Sequence, residues 1–172
     1  MGDPRAALTA GAVAERLAVV RTRIAAAGGD PGRVRVVAVT KGFGPAAVEA
    51  AAGAGLFDIG ENYAQELGGK VVATGHLAAL RWHFLGPLQR NKVARLAQVV
   101  AVWQSVDRRA AVDAIAAASP GASVFIQVNL AEDPNRPGCS WAAVGDLVRR
   151  GQGAGLDVQG LMGVAPLGHG SG

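Results

Sequence analysis

Cysteine is almost absent from this chain, because Cys139 is its only one. No internal disulfide can form, and no zinc cluster can be assembled from thiolates, so a reducing, cytoplasmic setting is expected. Long apolar runs are also missing. No stretch approaches the length of a membrane span, and Asp3, Arg5, Glu15 and Arg16 interrupt the apolar residues near the N-terminus. The sequence therefore predicts neither a membrane anchor nor a signal peptide.

Charged residues are scarce as well, at 17% of the chain, whereas half of the residues are hydrophobic. This balance is typical of a globular protein, and 172 residues suit one domain with a sizeable core. The net charge of +4 and the pI near 10.0 come from arginines spread along the chain. Such a charge could favour an anionic ligand such as a phosphate. Without a basic block or interleaved aromatic residues, binding to nucleic acid is not predicted.

Apolar residues recur at helical spacing over residues 11–27, and after them strand-like and helix-like stretches alternate. The six predicted strands are 34–39, 56–60, 81–86, 99–106, 123–129 and 158–164. This alternation is typical of right-handed βαβ units in a parallel sheet. No Gly-x-Gly-x-x-Gly motif follows the first strand and no Walker phosphate loop occurs, so a nucleotide-binding fold loses support. The sequence predicts an α/β fold, a TIM-type (β/α) barrel with about six of its eight strands.

Lys41 follows the first strand, whose valines predict burial on both faces. The carboxyl ends of parallel strands carry the ligand sites of α/β sheets and barrels. A lysine that is partly desolvated there loses its proton more easily, and the neutral amine can attack a carbonyl to form a Schiff base. By position alone, a strand-end lysine that extends into solvent is the favoured interpretation.

Several specific motifs follow one another along the chain. They are Val39-Thr40-Lys41, Phe57-Asp58-Ile59-Gly60-Glu61-Asn62-Tyr63-Ala64-Gln65-Glu66, Trp82-His83-Phe84-Leu85-Gly86-Pro87-Leu88-Gln89-Arg90-Asn91-Lys92, Ser105-Val106-Asp107-Arg108, Ile126-Gln127-Val128-Asn129, Arg136-Pro137-Gly138 and Gly160-Leu161-Met162-Gly163-Val164-Ala165-Pro166. Together they strongly resemble the pyridoxal phosphate homeostasis protein family, single-domain relatives of the alanine racemase N-terminal barrel. The resemblance extends from about residue 11 to residue 168.

The resemblance implies that Lys41 carries pyridoxal 5′-phosphate as a Schiff base. It implies that Asn62 and His83, at the ends of the second and third strands, face the cofactor and that Met162 lines the wall. A structural alternative stays open for each: a helix cap for Asn62, a core histidine with satisfied hydrogen bonds for His83, and core filler for Met162. Arg136 lies two residues before Gly138. The family commonly has a lysine or an arginine at this position, so the positive charge is kept. No catalytic residue and no metal ligand is assigned.

The function implied by the resemblance is cofactor homeostasis in the cytoplasm, with an influence on amino-acid and keto-acid balance and no turnover. Pyridoxal phosphate-dependent apoenzymes are candidate partners, and a monomer is expected for the full-length family. One alternative is an alanine racemase-like, pyridoxal phosphate-dependent racemase. That class adds a β-domain and a second acid/base residue from a partner subunit, and no tyrosine follows Tyr63 here. Another alternative is a cofactor-free aldolase-type enzyme that uses Lys41.

Family members continue past the sixth strand with segments that supply most contacts to the phosphate and ring nitrogen of the cofactor. The resemblance therefore implies a truncated barrel over residues 1–168, followed by a glycine-rich tail at 169–172. We expect an unpaired apolar edge on the sixth strand. We also expect weak retention of the cofactor by this chain, since each lost charge-assisted hydrogen bond is worth about 1.5–3 kcal/mol.

Overall fold

The computed structural model describes residues 8–165. The chain forms two compact units that divide between Trp82 and His83. We call residues 8–82 unit 1 and residues 83–165 unit 2, and describe each by itself. The single barrel domain expected over residues 1–168 stays a prediction, and the tail at 169–172 lies outside the described residues.

Helices and strands alternate along the described chain, so the predicted α/β class is confirmed. The elements of unit 1 are α1 (Ala10–Ala26), β1 (Ala38–Val39), α2 (Pro45–Gly53), β2 (Asp58–Glu61) and α3 (Ala64–Ala73), and β3 (Arg81–Phe84) crosses the division between the units. Those of unit 2 are α4 (Arg90–Leu96), β4 (Val100–Val106), α5 (Arg109–Ala118), β5 (Ser123–Val128), α6 (Trp141–Gly153) and β6 (Asp157–Gly163).

Unit 1 contains a packed pair of helices and a pair of parallel strands. The Thr9 hydroxyl accepts a hydrogen bond from the Ala12 N–H at 3.2 Å and caps α1, which packs against α2. Strands β1 and β2 run parallel, with Val39 opposite Gly60. The buried apolar side chains of this unit include Leu17, Ala47, Val48, Ala51, Ile59 and Leu67.

The first strand is much shorter and more exposed than predicted. Strand geometry is limited to Ala38–Val39, and Val34 and Val39 remain 45% and 43% exposed. Within unit 1, β2 is the partner of β1 in the sheet, and β1 lies at the end of the strand order. A parallel strand is buried on both faces only when neighbours flank it and helices cover it, which an edge strand lacks. The predicted burial on both faces is therefore wrong.

In unit 2, β4, β5 and β6 are parallel neighbours in that order. Helix α5 packs against both α4 and α6, and α6 also contacts β5 and β6. The ring of Phe84 meets Trp103 edge to face, with 6.2 Å between centroids. The fully buried side chains of this core include Val102, Trp103, Val106, Val112, Ile115, Val124 and Ile126.

Within the described residues, β6 is the last strand of the sheet order and carries exposed apolar side chains. Among the described residues of unit 2, β5 is the strand that pairs with it. Leu161 is 46% exposed, and Val164, directly after the strand, is 56% exposed. An edge strand with exposed apolar side chains can pair with another chain or aggregate.

Side-chain hydrogen bonds hold the chain extended just before α3 and α4. Glu61 completes β2 because its carboxylate bonds to Thr40, beside β1, so α3 begins only at Ala64. Pro87 precedes an extended segment and α4 begins at Arg90. The carbonyls of Gly86 and Leu88 accept hydrogen bonds from Ser105 and Arg108, which holds that segment out of the helix.

None of the helices within residues 8–165 has the combination of length and apolar character that a bilayer crossing requires.

Candidate functional site

Lys41 lies in a tight turn directly after β1. The Phe43 N–H donates to the Thr40 carbonyl at 3.0 Å, and Gly42 has a φ of +76°. That φ is typical of the third residue of a type II turn, a position that favours glycine. The Lys41 side chain is exposed. Since β1 is an edge strand, the described residues do not provide the partial desolvation that was expected for this amine.

Lys41 and Asn62 lie at the same end of two adjacent strands. Val39 is opposite Gly60 in the β1–β2 register, and Lys41 and Asn62 each follow these partners by two residues. Neighbouring parallel strands are about 4.8 Å apart, so the register brings both residues to one edge of the sheet. Unit 1 therefore places together the two candidate residues that it contains.

Asn62 does not cap the helix that follows it. The N-cap of α3 is Tyr63, and no side-chain hydrogen bond caps that helix. Asn62 itself is half-buried. The helix-cap interpretation is therefore wrong, and the role of Asn62 toward a cofactor stays a prediction.

A buried ion pair lies beside the Lys41 turn. The Lys70 ammonium on α3 donates to Glu61 Oε1 and to the Thr40 carbonyl, the latter at 2.7 Å, and the Thr40 hydroxyl donates to Glu61 Oε1 at 2.7 Å. Glu61 is fully buried, and Lys70 and Thr40 are 3% and 4% exposed. Buried charges persist only where such partners compensate for lost hydration. The ends of β1, β2 and α3 are therefore joined by one polar cluster.

Glu66 extends this cluster to the other side of the turn. Its Oε2 accepts a hydrogen bond from the Gly42 N–H at 2.9 Å and lies 3.3 Å from Lys70 Nζ. The Gly42 N–H, followed by Lys70, holds the pKa of the Glu66 carboxyl below its ordinary value and outweighs partial desolvation. The Glu66 side chain is 35% exposed, so solvent screens part of this attraction.

Sequence reasoning missed Lys70 altogether. A signal was nevertheless present, because Lys70 is three residues after the apolar Leu67 on the face of α3 that is buried. Glu66 is four residues before Lys70, the spacing of a helical ion pair. The burial of Glu61 in the cluster fits a structural role.

His83 lies in unit 2 and is buried, with 3% exposure. Its Nδ1 is 2.7 Å from Gln104 Nε2, so the side-chain amide of β4 donates to a ring nitrogen on β3. This contact fits the interpretation of a core histidine with satisfied hydrogen bonds. A role toward a cofactor stays a prediction.

Met162 lies on β6, opposite Gln127 of β5. It is half-buried, between the exposed residues Leu161 and Gly163. The alternation along β6 places Met162 on the covered face, which suits both core filler and a pocket wall. Its predicted contact with a cofactor stays a prediction.

Arg136 borders a small cavity of about 160 Å³ in unit 2, together with Gln127 and Asn129. The Asn129 amide donates to the Asp133 and Arg136 carbonyls at 2.7 and 3.4 Å, which folds the loop back onto the end of β5. Arg136 is half-buried, so the cation suggested by the motif is only partly solvated.

Residues 8–165 contain no group of three or more histidine, cysteine, aspartate or glutamate side chains able to hold an ion. Cys139 is buried in this part of the chain, and burial raises the pKa of its thiol. A raised pKa disfavours the thiolate that nucleophilic or metal-binding chemistry would need.

Comparisons with known sequences give consistent relatives. No family model matches the chain. The pyridoxal phosphate homeostasis protein of Pseudomonas aeruginosa is 40% identical, over 74% of this chain and 59% of its own length. Those of Deinococcus radiodurans and Mycobacterium leprae are 37% and 33% identical, over 87% and 88% of this chain and 72% and 69% of their own lengths. The chain belongs to the pyridoxal phosphate homeostasis protein family.

Solved structures agree with this assignment. PipY of Synechococcus elongatus with pyridoxal phosphate bound is 32% identical, with a TM-score of 0.78 over 91% of this chain and 72% of its own. An unknown protein from Bifidobacterium adolescentis is 27% identical, with a TM-score of 0.81 over 98% of this chain and 74% of its own. Alanine racemase from Bacillus anthracis is 17% identical, with a TM-score of 0.67 over 90% of this chain and 40% of its own. At this identity the likeness shows the fold alone. The predicted alanine racemase-like (β/α) barrel fold is confirmed.

The family resemblance covers most of this chain but not all of its relatives. The matched region spans between 59% and 72% of the length of the three curated family members named above. The activity, ligands and partners of the whole protein are therefore taken up below as proposals.

Proposed function

We propose that the protein binds pyridoxal 5′-phosphate through Lys41 and serves intracellular homeostasis of this cofactor, and thereby amino-acid and keto-acid balance, without turnover of its own. The cofactor supplies an aldehyde, and an amine and an aldehyde condense to a Schiff base with loss of one water. Family membership and the ligand of PipY support the choice of cofactor.

The chain's own lysines support Lys41 as the attachment point. The sequence has only three lysines: Lys41, Lys70 and Lys92. The Lys70 ammonium has three N–H donors, and three acceptors occupy them: the Thr40 carbonyl, Glu61 and Glu66. Lys41 and Lys92 are both exposed, but only Lys41 follows a parallel strand, where sheet folds place ligand sites. This position is the observation that carries the proposal.

The neighbourhood of Lys41 fits the group that it would hold. The turn at residues 40–43 leaves the amine exposed, so an aldehyde has access to it. The register places the half-buried amide of Asn62 at the same sheet edge, where it could hydrogen-bond a polar group of the cofactor. Within unit 1, the proposal assigns attachment to Lys41 and orientation to Asn62. A role of His83 and Met162 toward the cofactor is supported by the family resemblance alone.

Reductive trapping tests the attachment point. The chain is incubated with pyridoxal phosphate and cyanoborohydride at neutral pH, where this reductant reduces the Schiff base in preference to the free aldehyde, and is then digested and mapped by mass spectrometry. Because reduction is irreversible, the product accumulates even when occupancy is low. We expect the label predominantly on Lys41 and little on Lys92. The variant Lys41→Ala is expected to lose most of the label.

Lys92→Ala is the matched control, since it removes the other exposed lysine and should leave labelling at Lys41 unchanged. Equal labelling of Lys41 and Lys92 in the unmodified chain would show that exposure alone determines the reaction, and the proposal would be wrong. Incubation of the loaded chain with L-alanine, followed by measurement of D-alanine, tests the absence of racemase activity. Sustained formation of D-alanine would contradict a role without turnover.

A further inference from the structure

The Lys41 turn is held on both sides by the polar cluster of unit 1. Before Lys41, all three polar groups of Thr40 are engaged: its N–H donates to the Gly60 carbonyl at 3.0 Å, its hydroxyl to Glu61, and its carbonyl accepts from Lys70. After Lys41, the Gly42 N–H donates to Glu66. The residue between these anchors has an exposed side chain. The backbone at position 41 is therefore fixed while its amine stays accessible.

We propose that Thr40, Glu61, Glu66 and Lys70 form a positioning cluster that fixes the turn carrying Lys41 and thereby aims its amine at the ligand. The inference rests on the proposed function, since it assigns these residues to the same site. None of the four needs to touch the cofactor, so they are positioning residues.

The cost of building this cluster argues that it does more than stabilise. A buried ion pair contributes little net stability, because desolvation of both charges offsets their attraction. Glu61 Oε2 is, in addition, buried without a hydrogen-bond partner among the described residues. An apolar contact between α3 and β1 could join the two elements without these costs. The polar cluster also fixes the backbone conformation at Lys41, since directional hydrogen bonds hold Thr40 before it and Gly42 after it.

Positioning matters for an amine on a long, flexible side chain. A lysine side chain loses rotamer freedom when it is held by a ligand, and a mobile backbone would add to that entropic cost. A fixed turn lowers the cost of binding because the attachment point is ordered beforehand. Loosening the turn should therefore weaken attachment at Lys41 and leave the chemistry at Lys92 unaffected.

A matched pair at Thr40 separates positioning from general stability. Thr40→Val keeps the shape of the side chain and removes the hydroxyl, whereas Thr40→Ser keeps the hydroxyl that bonds to Glu61. Loss of one hydrogen bond of this kind corresponds to about a two- to tenfold effect. In the cofactor-free chain, we expect amide hydrogen exchange at Gly42 to accelerate about two- to tenfold in Thr40→Val and to stay near the original rate in Thr40→Ser.

The same variants are then tested by reductive trapping with pyridoxal phosphate. We expect the ratio of labelling at Lys41 to labelling at Lys92 to fall about two- to tenfold in Thr40→Val and to be restored in Thr40→Ser. Glu49→Gln, at an exposed position on α2, is the control for a charge change outside the cluster. It should alter neither measurement. Urea unfolding of each variant verifies that the protein is folded under the conditions used.

Labelling of the unmodified chain and the comparison of the Thr40 variants distinguish failure of the proposed function from failure of the positioning role. If the unmodified chain labels Lys41 and Lys92 equally, the proposed function is wrong and the positioning role is lost with it. If Lys41 is preferred but Thr40→Val leaves either Gly42 exchange or the labelling ratio unchanged, the positioning role alone is wrong. A decrease that Thr40→Ser does not restore would assign the effect to general destabilisation, which also overturns the inference.

Discussion

Removal of the Lys70 ammonium should destabilise the protein strongly. Methionine has a similar length, so Lys70→Met largely preserves packing while it removes the charge. The side chain of Lys70 is 4% exposed and that of Glu61 is fully buried, so the Glu61 carboxylate would lose its counter-ion in a site that water hardly reaches. Breaking a buried pair on one side costs about 3–5 kcal/mol. At about 2–4 °C per kcal/mol for a chain of this size, the melting temperature should fall by roughly 6–20 °C.

A double-mutant cycle shows where that cost originates. In Glu61→Gln with Lys70→Met, no charge is left buried, and the glutamine carbonyl can still accept from the Thr40 hydroxyl. We expect the two substitutions together to be less destabilising than the sum of the single ones, by about 0.5–3 kcal/mol. The measurement is urea unfolding followed by far-UV circular dichroism at pH 7. Because the pair is buried, the difference should persist at high salt.

Lys92→Met, on the exposed side of α4, is the matched control and should change the free energy of unfolding by less than about 0.5 kcal/mol. If Lys70→Met costs less than about 1 kcal/mol, or if the double variant equals the sum of the two single ones, the uncompensated charge is not what destabilises the chain. Either result would refute the reasoning.

Two further predictions concern the turn and the loop after β5. Because the pKa of Glu66 is lowered on folding, its stabilising contribution is present at pH values above its unfolded pKa and is lost as the pH falls through its lowered value in the folded state. The difference in urea midpoint between the original chain and Glu66→Gln should therefore shrink as the pH falls from 7 towards 3, and parallel curves would contradict the assignment. Gly138 has a φ of +123°, and a Cβ there would lie 2.4 Å from the Asn129 nitrogen. Gly138→Ala should therefore cost at least about 1–2 kcal/mol in urea unfolding. Gly153→Ala, where a Cβ meets nothing within 4 Å, should cost nothing comparable, and equal costs would contradict the steric argument.

The sequence alone determined the order and type of the elements, because they depend on local signals. Helix α1 extends from Ala10 to Ala26, where apolar spacing predicted residues 11–27, and all six strands overlap the predicted ones. Hydrophobic periodicity and the glycine and proline residues that end helices and strands are local signals, so a single sequence suffices to detect them. The long motifs around Asn62 and His83 likewise suffice to identify the family, because each motif is a continuous stretch of the chain.

The surroundings of Lys41 were decided only by tertiary structure. The hydrogen bonds that hold its turn join residues 21 and 30 positions apart, and no local pattern connects Thr40 with Glu61 or with Lys70. Lysine is normally expected on the surface, so the burial of Lys70 depends on partners that only the fold brings within reach. The shortness of β1 has the same origin, because exposure of an edge strand depends on which strands lie beside it rather than on its valines.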